Sequence, residues 1–375
     1  MTCRMPFTNL EILPNGQFGV CCISKFRATK VDGTPYVYGE DSVADVLESD
    51  SLREFRKEFE REEKSHLCQT CWQDERVNRE SKRQIENRRF KDHKNAIRSL
   101  DIKPGNVCNL KCRICSSYAS SRWIADEFKL HGRSHFPLHD WPERYGFEDL
   151  HQLAEHLEYI EVSGGEPFML GTQWEFVRWL KDNGYDKNIH IQYHTNGTLY
   201  SDKWIESLIG FKKVQIALSI DGIGKRFEYL RHPANWDTVH ENWRRYAAID
   251  EIHTSVSHSI NALNVYYIGE FADLVNEIGT EVYWNMVNNV MPVHQIANIT
   301  PVLVHLRKTL PNDTSLQVNP LYPADNWLFE HLRFAGPGGY RDADLIPEIL
   351  QIDRLRNEDY SKTFPEMWEV LNFAQ

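Results

Sequence analysis

Cys108, Cys112 and Cys115 follow one another at i, i+4 and i+7, directly after a short apolar alternation (Leu100, Ile102) and the turn residues Pro104-Gly105-Asn106. Cysteine thiolates are the ligands of iron–sulfur clusters, and a four-iron cube has four metal corners to fill. Three close ligands with no fourth beside them leave one corner open, as in metal sites that do chemistry rather than staple a chain. Three plainer readings compete. The same spacing puts three small thiols on one face of a core helix. A zinc site would want a fourth ligand, usually announced by Cys or His pairs, and chance grouping is open to a chain with eight cysteines. The intervening Asn109, Lys111 and Arg113, and the turn before them, are loop chemistry and argue against the helix.

A second cysteine group lies upstream. Cys3 precedes an apolar run (Leu10, Ile12, Leu13), the turn Pro14-Asn15-Gly16 and a strand Gln17–Val20 that leads into Cys21-Cys22, which together read as a β-hairpin. Ser42-Val43-Ala44-Asp45 opens a helix with a serine cap, and the pattern Val46, Leu47, Leu52, Phe55, Phe59 carries it to Lys64. Cys68-Gln69-Thr70-Cys71 closes the unit, with Glu75 just behind. Cys3, one of Cys21 and Cys22, Cys68 and Cys71 make a full set of four sulfur ligands. Strand alternation sends Cys21 and Cys22 to opposite faces, so one of them ligates. A structural zinc at these cysteines is the competing reading.

The elements that position the first trio alternate strand and helix, as βα units of a parallel sheet do. Strands are predicted near 100–105, 157–163, 189–195, 213–220, 254–260 and 281–286, and helices near 116–130, 172–183, 202–209, 237–249 and 266–277. Six strands fall short of a closed eight-stranded barrel. Ser163-Gly164-Gly165-Glu166-Pro167, His194-Thr195-Asn196-Gly197-Thr198 and Ser219-Ile220-Asp221-Gly222 each close a predicted strand, at the end where such folds gather their chemistry.

With these motifs in view, residues 98–290 resemble the radical S-adenosylmethionine (radical SAM) superfamily; the position before the last cysteine, often aromatic there, is Ile114 here. The upstream order of cysteine, hairpin, cysteine, helix and C-x2-C resembles the twitch/SPASM auxiliary-cluster domains of that superfamily, placed N-terminally instead of on the usual C-terminal side. The resemblance implies an α/β fold: a partial (β/α)6 barrel over 99–290, a small α+β twitch-like domain over 1–75, a helical connector over 76–98 and a helical C-terminal extension over 291–375. It implies a [4Fe–4S] cluster on Cys108, Cys112 and Cys115 with S-adenosylmethionine on the open iron. An auxiliary [4Fe–4S] cluster falls on Cys3, Cys21, Cys68 and Cys71, since the family's second ligand lies five residues after the hairpin glycine. Gly164, Gly165 and Glu166 are expected at the SAM ammonium group. Thr195, Asn196, Ser219, Asp221 and Arg231 suit its ribose hydroxyls and carboxylate. Each has a plainer alternative, as turn residues or, for Arg231, a salt bridge. Asn261 and Asn285 end the last two strands, and His190, His194, His253 and His258 lie on or beside strands as core or surface histidines, with a metal site the lesser reading.

The implied activity is reductive cleavage of SAM to a 5′-deoxyadenosyl radical, then hydrogen abstraction from a substrate. The auxiliary domain leans the substrate toward a peptide or protein side chain, with bond formation, oxidation or epimerisation as outcomes. A nucleotide, sugar or cofactor precursor is the alternative, and a non-catalytic iron–sulfur redox sensor is the reading from another class. An external electron donor such as flavodoxin or ferredoxin is expected. A net charge of −11 argues against non-specific nucleic-acid binding. The basic stretch from Arg76 to Lys94 reads as a solvated helix face, with a thin apolar stripe of Val77, Ile85, Phe90 and Ile97. No apolar run of membrane-spanning length and no apolar signal core at the N-terminus is present. Cysteines bunched in metal-like spacings point to a reducing cytoplasm. Beyond 291, turns are expected at 311–313 and 336–339 and helices over 324–334 and 342–373, covering either the barrel mouth or a partner surface.

Overall fold

The computed structural model describes residues 3–76, 80–91, 96–287, 299–310 and 345–372, with 291, 293 and 296. Val77 of the connector stripe, the turns at 311–313 and 336–339, and the expected helix 324–334 lie outside the described residues. Among the described residues eight strands form one sheet: β1 (Asn9–Ile12), β2 (Phe18–Gly19), β3 (Ser99–Ile102), β4 (Tyr159–Val162), β5 (His190–Thr195), β6 (Lys213–Ser219), β7 (Ile252–Ile260) and β8 (Glu281–Met286). Their spatial order is β2-β1-β3-β4-β5-β6-β7-β8, with β2 and β8 at the two ends of the order. Strands β3 to β8 are all parallel and follow chain order, the arrangement of an unclosed (β/α)6 barrel.

The hairpin belongs to the same sheet. β1 pairs antiparallel with β2 but parallel with β3, matching Leu10 to Leu100 and Ile12 to Ile102. One face of the sheet carries Leu10, Ile12, Leu100, Ile102, Ile160 and Val162, all essentially buried. Tyr193 on that face meets Phe168 and Trp174 of the layer outside. Burying each such side chain stabilises the fold by roughly 1.5–3 kcal/mol. Period-2 alternation puts polar residues on the opposite, concave face.

The expected helix 342–373 appears as three, Leu345–Arg356, Tyr360–Thr363 and Pro365–Asn372, and two other helices differ from their sequence patterns for a readable reason. The helix after β3 is expected from 116 but runs Trp123–His131. Serines upstream are occupied elsewhere: the Ser117 hydroxyl donates to Glu127 at 2.7 Å and the Ser120 hydroxyl to the Leu110 carbonyl, which competes with helical backbone bonding. The run from Ser42 breaks into Val43–Leu47 and Asp50–Glu60, because Ser49 caps a new helix by accepting from the Leu52 amide.

The connector forms the helix Lys82–Arg89 behind a Ser81/Gln84 capping box. Arg88 and Arg89 are exposed, but Glu86 is buried and the Arg89 guanidinium lies 4.4 Å over the ring of Tyr159 on the concave face. The basic stretch is thus only partly a solvated face. The helices Leu345–Arg356, Tyr360–Thr363 and Pro365–Asn372 pack on the outer side of the cysteine loop. There Arg113, fully buried, donates to Asp353 and Glu358 and stacks 3.8 Å over Tyr229.

Candidate functional site

Cys108, Cys112 and Cys115 lie on the loop after β3, outside any helix. The loop is held by backbone bonds to the segment after β6: the amides of Lys111 and Arg113 donate to the carbonyls of His232 and Leu230, each at 2.7 Å. Burial pushes the Cys108 thiol up to about 12, and the neighbouring Cys112 adds to it. Burial also raises Cys115, with Cys112 and Cys108 both close enough to contribute. None of the eight cysteines is in a disulfide. Three converging, desolvated thiols are unfavourable as anions by themselves and fit a cationic cluster that would hold them as thiolates.

The other strand-end motifs close around this loop. Gly165 takes φ +53°, and a Cβ there would stand 2.4 Å from the Val107 carbonyl oxygen. Gly165 therefore admits the backbone of the cysteine loop itself, while Gly164 lies against Lys103, and the Glu166 amide donates back to Val107 at 2.8 Å. Glu166 is fully buried; its carboxylate accepts from Thr195 Oγ1 (2.7 Å), the Asn196 amide (2.7 Å) and the Phe168 amide (3.1 Å). It ties the end of β4 to the end of β5. The Asn196 side chain donates to Asn109 Oδ1 at 2.8 Å and lies 4.0 Å from Cys108 Sγ. Asp221 and Arg231 form a buried ion pair at 2.7 Å, and Arg231 Nη1 points at Cys112 Sγ from 3.8 Å. Arg231 Nε is buried without a partner, a donor free for an anionic group beside the trio. Ser219 ends β6 half-buried. Asn261 is spent on its own turn, bonding Ser259 and Leu263, whereas Asn285 donates to Ser257 Oγ on the concave face.

Cys3, Cys21, Cys68 and Cys71 line one cavity, walled by Met5, Val20, Ile23, Phe59 and Trp72 with Arg83 at its side. Burial drives Cys3 up to about 12, with Cys68 and Cys71 adding to it. Four thiols around one apolar hollow fit a fully ligated cluster. Cys22 does not line this cavity; its Sγ takes the Lys82 ammonium at 3.1 Å. Both residues follow β2 in a turn and not on a strand, so alternation is not what separates them. Glu75 pairs with Arg83 at 2.8 Å and accepts from Ser81, fixing the guanidinium that flanks the cavity.

The concave face holds a charged network that strand-end motifs do not announce. Lys103 Nζ bridges Glu11 (2.7 Å) and Asp101 (2.9 Å), and His194 meets Glu161 at 3.0 Å. Burial raises Asp101 to about 7. Burial also pushes Glu161 up, but Lys82 and His194 outweigh it and hold the carboxyl well below the usual range. The signal was period 2: Tyr159 and Glu161, then Gln192 and His194, alternate with buried apolar residues. The histidines do not gather. His258 sits on the apolar face against Phe271 and Trp284, His253 pairs with Glu281, and His190 packs edge-on to Tyr159. Among the described residues no three His, Cys, Asp or Glu side chains form a single-ion site, and no helix is long and apolar enough to cross a membrane.

Residues 102–278 match the radical SAM superfamily, and residues 3–72 match SPASM, an iron–sulfur cluster-binding domain. No curated protein matches the chain. Similar solved structures include Streptococcus suis SuiB (15% identity, TM-score 0.39, 69% of this chain and 58% of that one) and SuiB bound to precursor peptide SuiA (14%, 0.37, 69% and 60%). TYW1 with a lysine-pyruvate adduct bound is another (15%, 0.33, 56% and 72%). The chain spans about three fifths of the length of SuiB.

Proposed function

Because this chain is a radical SAM protein that carries an iron–sulfur SPASM domain, we propose that it cleaves S-adenosylmethionine reductively and abstracts hydrogen from a peptide or protein side chain. The observation that carries the reading is the convergence of three neighbouring thiols, buried Cys108 and half-buried Cys112 and Cys115, beside the partnerless Nε of Arg231. When bound, a cluster on this trio supplies one-electron reduction of the SAM sulfonium, and with it the carbon radical. The residues do the rest. Asp221 holds Arg231 in place, and its free Nε–H offers a hydrogen bond to the SAM carboxylate. Glu166 locks Thr195 and the Asn196 backbone, which leaves the Asn196 amide directed at the cysteine loop.

The concave face, lined by Lys103, Glu161 and His194, receives the substrate and excludes water around the radical. The His194–Glu161 pair can hold or move a proton there, with Glu161 orienting the imidazole. The N-terminal cavity would hold the auxiliary cluster on Cys3, Cys21, Cys68 and Cys71, and a complete cysteine set favours electron transfer over substrate ligation. The test is anaerobic reconstitution with iron and sulfide, then chromatography for 5′-deoxyadenosine under a strong reductant. Formation of the nucleoside is expected; its absence from protein that has taken up two clusters would leave an iron–sulfur sensor instead.

A further inference from the structure

Cysteines 3, 21, 68 and 71 line the N-terminal cavity and cysteines 108, 112 and 115 form the trio, so Cys22 is left over. It is also the one exposed cysteine of the eight. Its surroundings are not those of a surface thiol. Cys22 Sγ takes a hydrogen bond from Lys82 Nζ at 3.1 Å, and Lys82 opens the helix Lys82–Arg89 that lies against the concave face. At the far end of that helix Arg89 covers Tyr159, whose hydroxyl donates to Gln192 of the next strand at 2.7 Å. Two turns, about 10 Å, separate Arg89 from Lys82 along one side of the helix. Glu161 stands two residues beyond Tyr159 on the same face of β4. The helix therefore sets Lys82 nearer the strand ends, where, against the desolvation of Glu161, it is the largest charge keeping that carboxyl ionised. Lys103, which bridges Glu11 and Asp101, is within electrostatic reach of Cys22 as well.

A second observation marks the same face. Glu11 pairs across the hairpin with Gly19, which offers no side chain, and Glu11 Oε2 lies 2.4 Å from where a Cβ there would stand. Glu11 is 2% exposed, yet Oε2 accepts no hydrogen bond among the described residues, and Arg27 stands 3.9 Å off. A buried carboxylate oxygen without a donor, on the face that presents a thiol, points to a polar group that enters from outside the chain. The thiol is then the group on this face with reactive hydrogen. An S–H bond is weaker than an aliphatic C–H bond, so a carbon radical takes hydrogen from it downhill.

From its place on the concave face and its bond to Lys82, we propose that Cys22 is a catalytic residue that gives a hydrogen atom to a carbon radical formed there. This rests on the radical SAM reading, which supplies the radical. One C–H bond forms, one S–H bond breaks, and the unpaired electron passes to sulfur. One electron from the low-potential donor that also drives SAM cleavage, and one proton from the Lys82 ammonium, restore the thiol. A substrate that loses hydrogen on one side and regains it on the other is inverted without net oxidation. Of bond formation, oxidation and epimerisation, the placement of Cys22 therefore favours epimerisation.

The test needs no substrate, because the 5′-deoxyadenosyl radical is itself a carbon radical in that cleft. Reconstituted protein is turned over with SAM and dithionite in thiol-free D2O, where the Cys22 hydrogen exchanges for deuterium and carbon-bound hydrogens do not. Mass spectrometry then reads the isotope content per molecule of 5′-deoxyadenosine, which a change in the amount formed does not affect. Most of the wild-type nucleoside should carry a deuterium, and Cys22→Ser and Cys22→Ala should lose most of it. Both variants should keep the iron content of the wild type, which shows that they fold and that Cys22 is not a ligand. The proposal is overturned by wild-type nucleoside that carries protium alone, by equal deuterium in wild type and variants, or by the loss of a cluster's iron in both variants. Wild-type protein that takes up its iron and forms no nucleoside would instead remove the radical SAM reading beneath it.

Discussion

The two cysteine sites are built on opposite principles. The N-terminal one surrounds a hollow with four thiols and apolar walls, Met5, Val20, Phe59 and Trp72. The one after β3 has three thiols, and its surroundings are charged or amide-bearing: Arg231 paired with Asp221, and Asn196 bonded to Asn109. As ligands, four thiols in an apolar shell would leave nothing for a substrate to bind. Three beside oriented donors would leave a corner and the groups to position what fills it. The number of sulfurs matters less than what stands where the fourth would be.

The sharpest way to break this comparison is to remove a thiol from the three-cysteine loop. Cys112→Ala should abolish 5′-deoxyadenosine formation to the detection limit by chromatography, and residual activity near wild type would end the distinction. Arg231→Ala comes next. It strands the buried Asp221 carboxylate, which should cost about 3–5 kcal/mol of stability in thermal unfolding; a loss under about 1 kcal/mol would mean that the pair is solvated. Cys68→Ala with Cys71→Ala should lower iron content by one cluster while leaving SAM cleavage uncoupled from substrate still measurable. Equal loss of both activities would make the N-terminal site structural, and no loss of iron would make it a zinc site or none.

The smallest effect is a pH dependence from the concave face. Asp101 is raised by burial to about 7 from an ordinary carboxyl value, so the folded chain holds a proton there that the unfolded chain releases near pH 4. Between those values the native state binds more protons than the unfolded state, and this group's contribution falls as pH rises. The slope is at most about 1.4 kcal/mol per pH unit. Asp101→Asn should flatten stability between pH 4 and 7; a slope identical to wild type would show that Lys103 already neutralises the carboxylate.

What was readable in the sequence is what depends on neighbours along the chain. The cysteine spacings, the strand-end glycines and the six βα strands are local patterns, and each appears within a few residues of its expected place. What was not readable depends on distant partners. Nothing near Leu10 announces its pairing with Leu100. Arg113 reads as loop polarity until Asp353 and Glu358 are brought against it. Lys82 reads as a solvated base until the hairpin turn presents Cys22 to it. Burial of charge is decided by tertiary partners, and composition cannot reveal it. Glu166 shows the intermediate case: the motif located it, while its three protein donors, and so its role as a tie between strand ends, came from the fold.

The parallel pairing of β1 with β3 has a consequence for how the chain is made. Of the described strands β1 leaves the ribosome before the others, yet its parallel neighbour among them is β3, which emerges after the whole N-terminal cysteine unit has left the tunnel. At about 5–20 residues per second, that interval leaves the inner edge of a two-strand hairpin, too small to be stable alone, waiting for seconds. Newly made protein is therefore most prone to clump in that window, and slower synthesis or a chaperone that shields the waiting hairpin should raise the yield of folded product.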